Sequence, residues 1–281
     1  MRLTTTDHDR GGAGLDYVYA VLSRRSGGVS VGINLNPNNA CNWRCVYCQV
    51  PGLVLGAAPE IDLARLEGEL RELLGRILRG EFPEPGAPAG ARELTDVAFS
   101  GNGEPTSSPQ LSEAIERAGA VLSELGLRGR VPLVLITNGS LVHRPAVQRG
   151  LSRMAELGGE VWFKLDSATA QGTARINSSR IDPARVRAHL ELAARACPTW
   201  IQTLVFGWDG PSLDADEQER YLERVRELVR SRVPLRGVLL YGLARPSHQP
   251  EARELAALPR EWLEAFAARI EAAGLPVRVS V

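Results

Sequence analysis

Residues 34–49 have the sequence NLNPNNACNWRCVYCQ, in which the cysteines follow the spacing C-x3-C-x2-C. The chain has four cysteines: Cys41, Cys45 and Cys48 lie in this stretch, and Cys197 lies elsewhere. Three thiolates on one short loop can point at a common centre, and thiolate sulfur is a preferred ligand of zinc and of iron–sulfur clusters. The stretch therefore predicts a metal centre.

Two kinds of metal centre are compatible with three clustered cysteines. A structural zinc ion takes four ligands, usually as two separated pairs, and no C-x-x-C or H-x-x-x-H pair follows this loop. A [4Fe–4S] cluster contains four irons, so three cysteines leave one iron free for another ligand. The spacing favours the cluster, and a zinc loop is the alternative.

The spacing, with the aromatic residue Tyr47 before the last cysteine, resembles the signature of the radical S-adenosylmethionine (radical SAM) superfamily. The resemblance implies that Cys41, Cys45 and Cys48 hold a [4Fe–4S] cluster and that the amino and carboxylate groups of SAM bind its fourth iron. It also implies that the reduced cluster cleaves SAM to a 5′-deoxyadenosyl radical, which abstracts hydrogen from a substrate. An external flavodoxin or ferredoxin would supply the electron.

The charge and hydropathy of the chain restrict its partners. Basic and acidic residues number 33 each, and this balance indicates no electrostatic surface for tight nucleic-acid binding, although a tRNA substrate is not excluded. No apolar run reaches the roughly 18 residues of a membrane span, and the first ten residues lack the apolar core of a signal peptide. We therefore expect a cytoplasmic protein that does not bind membranes.

The sequence predicts an α/β fold in which strands and helices alternate. Six strand patterns each precede a helix pattern, which favours parallel pairing and a partial (βα)6 TIM-like barrel; the radical SAM resemblance implies the same fold. The predicted strands are 30–35, 95–100, 132–137, 160–166, 200–206 and 237–241. The predicted helices are 62–79, 109–125, 145–157, 183–195, 214–231 and 259–273.

The chain is predicted to be one domain, 1–281, with its core at about 28–250. The N-terminal extension 1–27 contains an apolar piece of uncertain type, LDYVYAVL, and residues 251–281 are expected to add a helix and a short strand. The segment EFPEPGAPAGARE is too rich in Pro and Gly for regular structure, so it is predicted to be a surface connection.

Ligands of parallel α/β folds gather at the carboxyl ends of the strands. The second strand is followed there by SGNGEPT, with Gly101, Asn102, Gly103 and Glu104. This stretch resembles the Gly-Gly-Glu element of the family, which receives the amino group of SAM, with Asn102 in place of the second glycine. A plain glycine-rich turn is the alternative.

The next two strands also end in polar residues. Thr137 and Asn138 resemble a ribose or carboxylate contact of the family, although Asn-Gly is also ordinary in turns. Strand alternation places Lys164, the only lysine of the chain, and Asp166 on the face opposite Phe163. The resemblance implies that both contact SAM or substrate, and an internal salt bridge is the alternative.

The last two strands supply weaker candidates. Gln202 is predicted to be buried, where it either contacts SAM or is satisfied by the core. Tyr241, Arg245 and His248 cluster at the expected barrel mouth, where the resemblance implies adenine binding; Arg245 and His248 are candidates for facing the substrate. Other residues are predicted to have no role: His8, His143 and His189 as surface residues and Cys197 as a buried thiol.

Within the superfamily, four motifs together resemble the stand-alone iron–sulfur oxidoreductases related to the wyosine-tRNA synthases. The motifs are ACNWRCVYCQV, FSGNGEPT, the Lys-Leu-Asp strand and YGLARPS, over roughly 28–250. The substrate is not identified, because a shared fold does not determine the reaction. Two other hypotheses remain: an activating enzyme that makes a glycyl radical on a protein partner, and a non-catalytic metal-binding protein.

Overall fold

The computed structural model describes residues 14–23, 28–81 and 93–280. The predictions for His8, for most of the Pro- and Gly-rich connection and for Val281 lie outside the described residues.

In the described part of the chain, eight strands form one sheet with the order β1-β2-β5-β6-β7-β8-β9-β10. Strands β2 and β5 to β10 are parallel, whereas β1 is antiparallel to β2. The six predicted strands are neighbours in chain order, and the sheet curls into a partial barrel, as predicted. The strand bounds are β1 Val18–Ser23, β2 Gly28–Ile33, β3 Ala40–Cys41, β4 Val54–Leu55, β5 Leu94–Phe99, β6 Leu133–Thr137, β7 Glu160–Lys164, β8 Thr199–Val205, β9 Leu235–Gly242 and β10 Val277–Ser280.

The helices agree with the predicted ones to within a few residues, with one addition. The side chain of Asp62 caps α1 by accepting hydrogen bonds from the backbone N–H groups of Ala64 and Arg65. The additional helix, α4, has only 8 residues and follows the cap Thr169, so it is too short for a clear helical period. The bounds are α1 Leu63–Leu78, α2 Leu111–Glu124, α3 Pro145–Glu156, α4 Ala170–Asn177, α5 Pro183–Ala196, α6 Ala215–Arg230 and α7 Arg260–Ala272.

Both edges of the sheet come from segments outside the predicted core. The apolar piece LDYVYAVL contributes β1, and the C-terminal strand β10 pairs with β9. The buried carboxylate of Glu69 on α1 accepts hydrogen bonds from the backbone N–H groups of Asp16 and Tyr17. A contact between residues more than 50 positions apart thus positions β1.

The two faces of the sheet have different roles. On β7, Val161 and Phe163 belong to the core between sheet and helices, which confirms the predicted alternation. Trp162 and Trp200 point to the inner face and pack together there. Both indole N–H groups donate to the carboxylate of Glu160, at 2.7 and 3.1 Å. Aromatic packing therefore fills part of the barrel interior.

Two predictions outside the site have clear outcomes. Cys197 is a buried free thiol, as predicted. The prediction that His189 is a surface residue is wrong: its ring is buried, stacks on His143 and is 2.9 Å from the carbonyl oxygen of Gly139 through Nδ1. Helical periodicity does not show which polar residue packs against a neighbouring loop. Among the helices of the described residues, none has the length and apolarity needed to cross a membrane.

Candidate metal and cofactor site

The cysteine loop follows β2 and covers the carboxyl edge of the sheet. Within it, β3 and β4 form a short parallel ladder that pairs Cys41 with Leu55. The backbone N–H of Val46 donates to the carbonyl oxygen of Ile176 at 2.9 Å. All three clustered cysteines line a cavity of about 280 Å³ between this loop and the inner face of the sheet. Tertiary contacts therefore direct the three cysteines into the barrel.

Two of the thiols lie next to hydrogen-bond donors. The backbone N–H of Trp43 is 3.5 Å from the sulfur of Cys41, and the side-chain amide of Asn177 is 3.3 Å from the sulfur of Cys45. Burial raises the pKa of Cys41 to about 12 and that of Cys45 to about 11. Metal binding to these thiols therefore requires the release of protons, while the two donors can stabilise thiolates.

Cys41, Cys45 and Cys48 are the candidate ligands of a metal centre, and all three line one cavity. Within residues 14–23, 28–81 and 93–280, no three Cys, His, Asp or Glu side chains come together in an arrangement that could hold one metal ion. A zinc site requires such convergence. In an iron–sulfur cubane each thiolate binds a different iron, so the sulfurs lie around a larger object. Three thiolates would bind three of the four irons of such a cluster and leave the fourth iron for another ligand.

A group of asparagines joins the cysteine loop to the Gly101–Glu104 loop. The Oδ1 atom of Asn34 accepts the backbone N–H groups of Asn36 and Asn102, each at 3.0 Å. The Nδ2 atom of Asn102 donates to Oδ1 of Asn39 at 2.6 Å, and Nδ2 of Asn36 donates to the carbonyl oxygen of Ala40 at 2.8 Å. The two loops that carry the predicted cluster and SAM residues are therefore one hydrogen-bonded unit.

The glycines of the second loop allow this close approach. Gly101 has φ of 152°, and a Cβ on it would collide with the side chain of Asn34. A Cβ on Gly103 would overlap the backbone carbonyl oxygen of Ala40, next to Cys41. Glycine is therefore needed at both positions because the two loops touch there. The family resemblance by itself does not show this packing reason for the two glycines.

We expect Gly103→Ala to lower the free energy of unfolding by about 3 kcal/mol, because the backbone of Ala40 must move to admit the methyl group. The matched control is Gly68→Ala on the exposed face of α1, where a Cβ meets no atom within 4 Å. This control should stabilise the protein by about 0.5 to 1 kcal/mol. Urea unfolding of both variants measures the difference, and equal effects would contradict the packing of Gly103 against Ala40.

Glu104 is buried and hydrogen-bonded within the protein. Its Oε1 accepts the hydroxyl groups of Thr106 and Thr137, both at 2.6 Å, and its Oε2 accepts the backbone N–H of Asn138 at 2.7 Å. Burial raises the pKa of Glu104, while these hydrogen bonds act in the opposite direction. Glu104 lines the cavity and Thr137 does not. Thr137 thus contributes by orienting the Glu104 carboxylate.

A second buried carboxylate organises the opposite side of the cavity. Asp166 accepts hydrogen bonds from the hydroxyl of Tyr47, from Nδ2 of Asn177 at 2.8 Å and from the backbone N–H of Leu204 at 3.0 Å. The ammonium of Lys164 is 3.6 Å from Oδ2 of Asp166 and 4.9 Å from the centre of the Tyr47 ring. Because Asn177 also contacts the sulfur of Cys45, this network connects β7 to the cysteine loop.

The structure brings most of the predicted site residues to one cavity. The predicted residues that line it are Cys41, Cys45, Tyr47, Cys48, Gly101, Asn102, Gly103, Glu104, Asn138, Lys164, Tyr241 and Arg245. Four other predicted residues do not line it: Thr137, Asp166, Gln202 and His248. Two of these four contact residues that line the cavity: Thr137 donates a hydrogen bond to Glu104, and Asp166 accepts one from Tyr47.

Gln202 and His248 have different environments. Gln202 is fully buried on the inner side of β8, and neither polar atom of its side chain has a hydrogen-bond partner in the part of the chain that the structure describes. His248 is exposed, and its backbone N–H donates to the carbonyl oxygen of Cys48 at 2.9 Å. His248 therefore anchors the cysteine loop through its backbone, and its imidazole does not face the cavity.

Four cavity residues on or directly after the first strands were not predicted from the sequence, namely Tyr19, Ser30, Asp96 and Ser100. The alternation of 94–99 places Asp96 opposite Val97 and Phe99, so this residue could have been assigned to the inner face. Tyr19 gave no such signal, because its segment had no assigned type.

The fold and the site define a partial parallel α/β barrel whose first βα loop presents three cysteines to a cavity at the carboxyl ends of the strands. The sequence model of the Radical SAM superfamily matches residues 35–225, more than half of the chain. The chain therefore belongs to the radical SAM superfamily. The match includes the cysteine loop, the Gly101–Glu104 loop and the strands β3 to β8.

Known proteins support this assignment at the level of fold. The chain is 29% identical over 162 residues to UPF0026 protein MJ1312 of Methanocaldococcus jannaschii, which covers 58% of this chain and 44% of that protein. It resembles the crystal structure of a radical SAM methyltransferase from Sphaerobacter thermophilus, with a TM-score of 0.60, 16% identity and coverage of 89% of this chain and 65% of that chain.

A second similar structure is that of TYW1 with a lysine–pyruvate adduct bound, with a TM-score of 0.55 and 14% identity. This likeness covers 88% of this chain and 74% of that chain. The chain spans less than half the length of the curated relatives that it matches.

Proposed function

We propose that this chain is a radical SAM enzyme in which Cys41, Cys45 and Cys48 hold a [4Fe–4S] cluster and the adjoining cavity binds SAM. The observation that carries the proposal is the joining of the cysteine loop to the Gly101–Glu104 loop by the Asn34–Asn102 hydrogen bond, with both loops lining one cavity. When bound and reduced, the cluster with SAM supplies one-electron cleavage of SAM and hydrogen-atom abstraction from a substrate.

The residues of the chain contribute binding, orientation and exclusion of water. The carboxylate of Glu104 lies at the cavity wall in a fixed orientation, where it can accept the ammonium group of SAM. Lys164 brings a cation to the opposite wall, suited to a carboxylate or a ribose oxygen. Tyr47 is buried, and burial raises its pKa well above the usual value, so it remains a neutral hydrogen-bonding and packing residue.

The remaining parts of the proposal concern partners. An external flavodoxin or ferredoxin would deliver the electron in the cytoplasm. Tyr241, near the carboxyl end of β9, lines the cavity and offers an aromatic surface for adenine. The substrate would enter the same cavity, because the proposed reaction requires it to lie beside the cofactor.

The proposal is tested by anaerobic reconstitution, iron analysis, electron paramagnetic resonance and an assay for 5′-deoxyadenosine. We expect about four irons per chain, a reduced-cluster signal that shifts when SAM is added, and release of 5′-deoxyadenosine with dithionite. Lys164→Gln should weaken SAM binding about tenfold through loss of a charged contact. The control is Arg153→Gln, on the exposed side of α3. A cluster signal insensitive to SAM would overturn the proposal.

A further inference from the structure

A second polar group lies on the inner face of β2 and β5. Ser30 and Asp96 are partners across the two strands, and the hydroxyl of Ser30 donates to Oδ1 of Asp96 at 2.5 Å. Their exposed fractions are only 8% and 3%, yet both line the cavity that the cysteine loop covers. This pair therefore faces an internal space and not the outer solvent.

The pair lies well below the residues assigned to the cluster and SAM. Asp96 of β5 lies four residues before Ser100, the residue that follows this strand, which corresponds to about 13 Å at the usual rise per residue. The Gly101–Glu104 loop begins just after Ser100, at the carboxyl edge. The cavity thus reaches from the cofactor loops into the barrel interior.

The wall beside the pair is built by a close contact between strands. Tyr19 of β1 pairs with Gly32 of β2, and a Cβ on Gly32 would overlap the Tyr19 ring. The ring crosses β2 at this glycine, and its hydroxyl is 3.0 Å from Oγ of Ser100. Tyr19 therefore covers β2 just above Ser30 and separates the Ser30–Asp96 pair from the mouth on that side.

Within residues 14–23, 28–81 and 93–280, the carboxylate of Asp96 has hydroxyl neighbours and forms no ion pair. Oγ1 of Thr95 is 3.3 Å from Oδ2 of Asp96 and 3.0 Å from the carbonyl oxygen of Val29. Of the cations that line the same cavity, Lys164 contacts Asp166, and Arg245 donates to the carbonyl oxygen of Leu22 at 3.2 Å. A buried carboxylate without a cation is costly, and a bound cationic group offsets that cost.

We infer that Ser30 and Asp96 form the substrate-binding site of the proposed enzyme and that the substrate is a small molecule with a protonated amine. The ammonium would donate to Oδ2 of Asp96, while Ser30 holds Oδ1 in place. The apolar remainder of the substrate would lie against Ala98 and Trp162, which line the cavity above the pair. The inference rests on the proposed function.

The test uses the reconstituted protein with saturating SAM and no reductant, so that no turnover occurs. Ligand-observed NMR measures the binding of three probes of similar size: n-butylammonium, butyrate and 1-butanol. We expect n-butylammonium to bind better than either other probe. Asp96→Asn should weaken this binding about tenfold or more, because a charge-assisted hydrogen bond is lost. The control Asp216→Asn removes an exposed carboxylate on α6, outside the cavity.

Equal binding of n-butylammonium to the wild type and Asp96→Asn, or a preference for butyrate or 1-butanol, would overturn the inference. If Asp96→Asn does not fold, Ala98→Leu replaces it, because a larger side chain on this cavity wall should abolish n-butylammonium binding. The SAM assay separates the two proposals: SAM cleavage without ammonium preference refutes only the substrate class. Ammonium preference without SAM cleavage refutes the enzymatic function and leaves a cation site.

Discussion

Alanine at Cys41, Cys45 or Cys48 is expected to reduce bound iron from about four atoms per chain to nearly none and to abolish 5′-deoxyadenosine formation. Each of the three thiols lines the same cavity, and a cubane held by two protein thiolates has two irons without protein ligands. Iron analysis, the visible absorption of the cluster and the SAM cleavage assay measure the effect after anaerobic reconstitution.

The matched control is Cys197→Ala. Cys197 is buried in the core between the sheet and the helices, with its sulfur 3.5 Å from the carbonyl oxygen of Gly159. Its loss should cost about 1 kcal/mol of stability and leave the iron content unchanged. Retention of full iron by the Cys45→Ala variant, or loss of iron from the Cys197→Ala variant, would show that the centre is held by other residues.

Asp166→Ala is expected to lower the free energy of unfolding by about 4 kcal/mol, because it leaves three buried donors and Lys164 without the carboxylate. The donors come from Tyr47, Asn177 and Leu204. Tyr47 belongs to the cysteine loop, and Asn177 contacts the sulfur of Cys45. The variant should therefore also lose iron on reconstitution. Urea unfolding at neutral pH and iron analysis measure the two effects.

A helix cap provides the scale for that prediction. Asp62→Ala removes an exposed carboxylate that caps α1 through two backbone N–H groups, and it should cost about 1 kcal/mol without loss of iron. Similar costs for the two aspartates would mean that Asp166 is not the centre of a buried network. If Asp166→Ala lost stability but still bound the full amount of iron, the Asp166 network would not be needed to hold the metal site.

Much of the fold was predictable because it depends on local patterns. Alternation and helical periodicity located the six parallel strands and their helices, and the cap residue Asp62 located the start of α1. The strand β1 and the short helix α4 were not assigned, since the first is positioned by Glu69 and the second is only two turns long. The buried position of His189 was predicted wrongly because it depends on the loop at Gly139.

The candidate site was predictable where a motif carries the chemistry. The cysteine spacing, the Gly101–Glu104 stretch and the position of Lys164 identified residues that line one cavity. The different environments of the two buried carboxylates, Glu104 and Asp166, were not predictable from the sequence. Glu104 faces the cavity, whereas Asp166 is enclosed by Tyr47, Asn177 and Leu204.

The sequence by itself determined the order of the elements, the parallel barrel and the identity of the three cysteines, because each depends on residues within about one turn or one strand. Only the tertiary structure decided that asparagines join the two loops, that Tyr19 crosses β2 at Gly32 and that Ser30 and Asp96 face the cavity. These contacts join residues up to 81 positions apart, and such pairs form only when the sheet brings separate strands side by side.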